Sequence, residues 1–246
     1  MGGRCCLFVP GGTTLSERNR AVVSTKCSAR KENAELGGWR DFRLRLIEKE
    51  GGRVGVSSRG WAHEVNVLEP GTCLISNVNH QWSETHKHRN KAVVLVTKAT
   101  DTECTGLMLN RELGQHVHDI PSIEARVGRE FRDNPVHLGG DCSLGTIEMI
   151  HTVPPERCPG AEEIVPGLYK GGFNASRELI QDRLADPSSF RFLLGYTQWK
   201  TEDLRREIKN KVWHQVACST DLLLAGTGEQ LWHDVLSLVG LPTAAA

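Results

Sequence analysis

The chain has 246 residues, 39% of them apolar and 24% charged, with a formal net charge of zero, the proportions of an ordinary globular protein with room for one substantial domain or two small ones. The charge is unevenly spread: residues 1–31 carry six basic side chains against Glu17 alone, and from Glu32 onward there are 24 basic and 29 acidic ones. An acidic body argues against direct nucleic-acid binding, which depends on Lys and Arg neutralising phosphates, and no run approaches the roughly 18 uncharged apolar residues of a membrane-spanning helix.

The first 31 residues are poor in acids, carry hydroxyl side chains at Thr13, Thr14, Ser16, Ser24, Thr25 and Ser28, and lack the apolar centre of a secretory signal. That is the composition of an organellar transit peptide, here of plastid type, with cleavage expected near residues 27–30. The alternative is an N-terminal tail that stays on the chain. Residues 32–69 then read as an N-terminal helix and a linker. Trp39, Phe42 and Leu46 fall at i, i+3 and i+7, one narrow apolar stripe on a charged helix that stops at Gly51 and Gly52. The segment on to Pro70, interrupted by Trp61-Ala-His63, is either a linker or a strap over the body.

From Gly71 onward short β-type runs dominate: residues 73–76, 93–97, 106–109, 136–138, 146–150, 190–194, 215–218 and 222–225. Helical patterns join them in the second half. Asn174 is the expected cap of a helix through Leu179, Ile180 and Leu184 that Asp186-Pro187 stops. Thr201 is the expected cap of another, with Glu202 and Asp203 in its first turn and Lys209 and Lys211 near its end, where the helix dipole favours cations. A last helix over 229–239 buries Leu231, Trp232, Val235 and Leu236 before Gly240 and Pro242. Strands clustered early and helices late, without β-α-β alternation, predict an α+β fold.

Eight cysteines, five of them after the leader, are scattered without a Cys-x-x-Cys pair. That argues for reduced, mostly buried thiols rather than a disulfide framework or a zinc site. Six Gly-Gly pairs invite a phosphate-cradle reading, but none is followed by the Lys-Ser/Thr of a P-loop or set in Gly-x-Gly-x-x-Gly. They read as turns. Gly139-Gly140-Asp141, after the run 136–138, is a hairpin turn or a ligand-facing loop, since glycine lets a backbone or ligand come close. His86-Lys-His88 and His116-Val-His118 offer four imidazoles, but no nearby Cys or acid completes a ligand spacing, so no metal and no cofactor is assigned. Cys142 would be a nucleophile only if His137 or His151 lay beside it, and a buried thiol is the plainer reading; Ser143 lacks a nucleophile elbow. Asn110-Arg111 either binds a carboxylate or phosphate or serves as a turn cap and a surface ion pair. Tyr196 and Trp199 are either a stacking platform or a core plug at a strand-to-helix junction.

Taken together, PGTCLISN at 70–77, TGLMLNR at 105–111, VHLGG at 136–140 and LGYTQW at 194–199, followed by LRREI at 204–208 and Trp213, resemble the AlgH/YqgE family. WRDF at 39–42, WAH at 61–63 and VACSTDL at 216–222 resemble its plant and algal branch in particular. The resemblance implies an AlgH/YqgE-like domain over 70–241, a small closed or bifurcated β-barrel-like sheet flanked by helices, and location in the chloroplast stroma. Asp141 and Glu112 stand where the family commonly has proline, which leaves those turns looser than proline would make them. Bacterial members are described as transcriptional regulators, but there is no catalytic set to carry over and no helix-turn-helix pattern here.

The expectation is a non-enzymatic regulatory or interaction protein of the plastid with a protein partner, working through Asn110, Arg111, Gly139, Gly140, Asp141, Tyr196 and Trp199. The alternatives are a small-molecule sensor or enzyme with an anion site at Arg111, and a transcriptional regulator.

Overall fold

The structure is a computed structural model that describes residues 54–244; the expected leader and the helix over 39–50 lie outside the described residues. Two strands, β1 (Gly55–Ser57) and β2 (Gly60–Glu64), precede β3 (Cys73–Ser76), β4 (Val93–Ala99), β5 (Glu103–Met108) and β6 (Glu112–His116). Helix α1 (Pro121–Val127) leads to β7 (Pro135–Leu138), β8 (Cys142–His151), β9 (Ala161–Val165) and β10 (Leu168–Gly171). Helix α2 (Phe173–Gln181), the long strand β11 (Phe190–Lys200), α3 (Thr201–Lys209), β12 (Trp213–Cys218), α4 (Thr220–Ala225) and α5 (Gly228–Val239) complete the order.

The twelve strands form one sheet in the order β1-β2-β12-β3-β4-β5-β11-β8-β10-β9, with β6 and β7 on a side branch from β11. All pairings are antiparallel except β7 with β11. The first half of β11 lies between β7 and β8, and its second half pairs with β5 through Thr197↔Gly106 to Lys200↔Glu103. Among the described residues the sheet branches but does not close, with β1 and β9 at its ends; of the expected closed or bifurcated barrel-like sheet flanked by helices, the helix-flanked sheet is present and the barrel is not.

Alternation sorts the apolar side chains onto two faces. Cys73, Ile75, Val93 and Leu95 point to a core under α4 and α5, with Leu222, Leu223, Leu231, Trp232, Val235 and Leu236. Leu74, Val94 and Val96 point the other way, to Trp199, Trp213 and Leu204 of α3. Burial on both faces is why β3 and β4 read as continuous apolar runs. A third cluster, around Phe131, Phe190 and Phe192, lies beneath α1 and also packs Phe173 and Ile180 of α2.

Several local expectations change. Residues 222–225, read as a strand, belong to helix α4, whose cap Ser219 accepts a hydrogen bond from Leu222 N at 3.4 Å; four apolar residues in a row carry no period that separates strand from helix. Helix α2 starts after Gly172 in the left-handed region, without a cap from Asn174. Thr201 lies inside α3 and donates its hydroxyl to Thr100 O at 2.7 Å. Trp61-Ala-His63, read as linker or strap, is the middle of β2, paired with β12 through Ala217↔His63 and Cys218↔Ala62. Among the described residues no helix is long and apolar enough to cross a membrane.

Candidate functional site

The glycine pair of the 139–141 loop holds the branch together. β7 and β8 flank opposite edges of β11, so the residues joining them must cross its backbone. A Cβ on Gly139 would stand 2.3 Å from Gly195 O, and one on Gly140 2.1 Å from the Tyr196 carbonyl carbon. Gly195 itself has φ +68, at the register shift between Leu194 and Tyr196. The loop is thus neither the expected hairpin turn nor a glycine cradle open to a ligand; it is a crossover in which two backbones touch. Gly139 N donates to Leu194 O at 2.7 Å, and Gly139 O accepts from Met108 N at 2.8 Å.

Asn110 is likewise committed to the fold. Its buried amide accepts from Val93 N at 2.9 Å and donates to Lys91 O and Gly228 O, both at 2.9 Å. The side chain thereby ties the start of β4 and the start of α5 to the end of β5. Every strong hydrogen-bonding position it has toward that interior is filled.

The neighbouring residues are different. Arg111 donates Nε to His88 O at 2.8 Å, and its Nη groups make no hydrogen bond among the described residues. His88 and Arg89 end the turn Glu84–Arg89. Arg89 donates Nη2 to Asp141 Oδ2 at 3.0 Å and lies 5.4 Å from the centre of the Trp199 ring, within cation–π range. The same Asp141 oxygen is 3.5 Å from His88 Nε2, which makes no hydrogen bond among the described residues. Burial lowers the His88 pKa more than Asp141 raises it, and Arg89 and Arg111 lower it further; the ring is neutral near pH 7, so the contact is not an ion pair. The turn 84–89 thus joins two segments remote from it in sequence: Arg111 holds the His88 carbonyl, and Asp141 holds the Arg89 side chain and lies beside that of His88.

The structure separates the other candidates. Tyr196 and Trp199 are three apart on β11 and point to opposite faces, Tyr196 toward the core under α4 and α5 and Trp199 toward α3, so they form no common platform. Tyr196 lines a cleft of about 260 Å³ with Thr97, Lys98, Glu103, Thr105 and Gln198. Trp199 borders a shallower cleft of about 440 Å³ with His86, Arg89, Asp203, Arg206 and Glu207. The His116 and His118 rings stack at 5.6 Å beside Asp119, on a different element from His86 and His88. No group of three or more His, Cys, Asp or Glu side chains among the described residues is arranged to hold a metal.

Cys142 makes no hydrogen bond to a histidine among the described residues. Its Sγ is 3.9 Å from Asp141 Oδ1, and burial together with that carboxylate raises its pKa, which disfavours the thiolate. His151, at the far end of β8 and so roughly 30 Å along the strand, accepts from Val153 N at 3.1 Å and donates to Gly171 O at 3.1 Å. His137 is buried on β7 with Nδ1 unpaired and a pKa lowered chiefly by burial.

Sequence reasoning missed two arginines. Nothing in ETHKHR at 84–89 marks Arg89 as the residue that is drawn inward. Arg191 lies sunk within β11 and donates to Leu223 O at 3.2 Å, Leu224 O at 2.6 Å and Gly226 O at 3.3 Å, covering the C-terminal carbonyls of α4. A lone Arg within an apolar strand run was the available signal.

A family model described as AlgH-like (DUF179) matches residues 81–244. A UPF0301 protein of Chlorobium phaeobacteroides is 28% identical over 171 residues, covering 69% of this chain and 86% of that protein. One from Parabacteroides distasonis is 31% identical over 151 residues, covering 61% and 74%. Among solved structures, the AlgH protein from Pseudomonas aeruginosa has a TM-score of 0.58 at 15% identity, covering 75% of this chain and 97% of that one. A protein from Corynebacterium diphtheriae has 0.56 at 19%, covering 73% and 91%. At such identities the two structures share the fold with this chain, and the likeness extends no further.

Proposed function

The chain belongs to the AlgH-like family, and from that premise we propose that it acts as a non-enzymatic regulatory or interaction protein of the plastid stroma, engaging a protein partner through the face where Arg89, Arg111 and Asp141 meet. One observation carries this reading: segments 84–89, 110–111 and 139–142 bring their polar side chains to one partly open place. The groups nearest to chemistry are otherwise occupied. Asn110 is saturated by backbone, and the Cys142 thiol is held in its protonated form by burial and by Asp141. Partly exposed mixed charge at Arg111 and Asp141 suits a transient protein interface, where arginine side chains carry much of the energy.

The plastid assignment rests on the basic, hydroxyl-bearing, acid-poor leader and on the WRDF, WAH and VACSTDL segments. Direct DNA contact, as the bacterial description would require, is set aside because the body carries more acids than bases.

The test is to recover the tagged full chain from stromal extract and compare its amide hydrogen exchange with that of chain never exposed to extract. Slower exchange at 84–89 and 139–142 is expected. Unchanged exchange there, with slowing at a different surface, overturns the assignment of the face.

A further inference from the structure

We propose that the Arg89–Arg111 site takes the oxyanion group of a small molecule, carboxylate or phosphate, in competition with the chain's own Asp141. The proposal deepens the interaction reading above and rests on the same face.

The first ground is unmatched positive charge. The Arg89 side chain is only 9% exposed; its Nη2 reaches Asp141, while its Nε is buried without an acceptor. Arg111 spends Nε on His88 O and leaves both Nη groups without hydrogen bonds among the described residues. The other acid near Arg111 is Glu229, and Lys91 already holds it at 2.7 Å. Arg89 thus has Asp141 alone as its acid, and Arg111 has no acid of its own within ion-pair distance among the described residues, in a body where acids outnumber bases. A buried charged donor left unpaired is costly, a deficit that an incoming anion removes.

The second ground is an indole donor beside Arg89. Trp199 Nε1 is also buried without an acceptor, and its ring lies 5.4 Å from the Arg89 guanidinium. Guanidinium forks and an indole N–H all donate and none accepts, so the complementary group has several acceptor lone pairs, as carboxylates and phosphates do.

The third ground is Asp141 itself. Its carboxylate already sits against Arg89 at 3.0 Å and beside His88 at 3.5 Å, on a residue that is partly exposed and follows the fixed glycine crossover. It shows that a carboxylate fits here. Its tether also means that an external anion has to displace it or bind alongside its negative charge.

The test is titration of the full-length protein with inorganic phosphate and, separately, with acetate, followed by two-dimensional NMR against sodium chloride of matched ionic strength. Wild type, Arg111→Gln and Asp141→Asn are compared, with circular dichroism to confirm that each is folded. Saturable binding is expected for at least one anion, about tenfold weaker in Arg111→Gln and several-fold tighter in Asp141→Asn. Stronger phosphate binding assigns a phosphoryl group, and stronger acetate binding a carboxylate. The proposal falls if neither anion saturates, if Arg111→Gln binds as wild type does, or if Asp141→Asn binds more weakly. A silent titration alongside intact partner footprints sinks this inference alone; saturable anion binding without any partner footprint sinks the interaction reading instead.

Discussion

Asn110 and Arg111 are adjacent in sequence yet have opposite fates, and the difference is where their polar atoms end up. Asn110 closes three backbone hydrogen bonds, so Asn110→Ala strands Val93 N, Lys91 O and Gly228 O and is expected to cost about 1–3 kcal/mol in urea unfolding. Arg111→Ala removes a single part-buried bond at the same strand end together with an unmatched charge, and should leave stability within about 1 kcal/mol of wild type. Gly140→Ala forces a Cβ into the Tyr196 carbonyl and should lower the unfolding midpoint more than either. Cys142 is expected to react with iodoacetamide more slowly than an unperturbed thiol at pH 8, and Asp141→Asn should speed it by removing the nearby negative charge; a faster wild-type reaction would contradict the raised pKa. At this scale the sequence identified residues better than it identified roles. The loop 139–141 stood out because its glycine pair follows the run 136–138 and glycine lets a backbone or ligand come close, but only the crossing of β11 explains why both glycines are needed.

Among the elements, β11 decides the architecture. Its eleven residues pair with β7 and β8 at one end and with β5 at the other, so one strand belongs to both branches of the sheet. Only residues 190–194 of it read as a strand from sequence, because Gly195 interrupts the run at the bulge where the crossover loop docks. The short strands β1, β6, β9 and β10 escaped notice for a related reason: each has three to five residues and no apolar run longer than two, and its strand geometry comes from pairing rather than from alternation. Helix α4 was misread because LLLA at 222–225 fits a buried strand as well as a buried helical turn. That helix also depends on a distant side chain. Arg191→Lys, which replaces a fork by a single ammonium, is expected to destabilise the protein by about 1–3 kcal/mol and to speed amide exchange selectively in α4.

For the whole molecule, burial of histidine sets the acid limit. Burial is the largest cause lowering the pKa of His88, His137, His151 and His214 below the ordinary value of 6.5. The unfolded chain therefore binds protons more readily than the folded one as pH drops below about 6.5, so these groups contribute full stability above that pH and lose it as pH falls toward their folded values. Denaturant midpoints should be flat from pH 7 to 8 and decline through pH 6 to 5; a midpoint that rises on acidification would contradict the burial of these rings. The α+β class and the order of the longer strands were legible because apolar runs and caps are local signals. The open branched sheet and the gathering of Arg89, Arg111 and Asp141 were not, since they depend on which strands pair across the chain. The targeting proposal is separable from the fold: a fluorescent protein carrying residues 1–31 is expected to enter chloroplasts, and retention in the cytosol would remove the plastid assignment. The central claim is that the Arg89–Arg111–Asp141 face is where this protein meets its partner, and affinity capture from stroma with wild type, Arg111→Ala and the distant surface variant Arg132→Ala tests it most directly. A stoichiometric partner is expected to be retained by wild type and Arg132→Ala and lost from Arg111→Ala; a partner retained equally by all three would rule this face out.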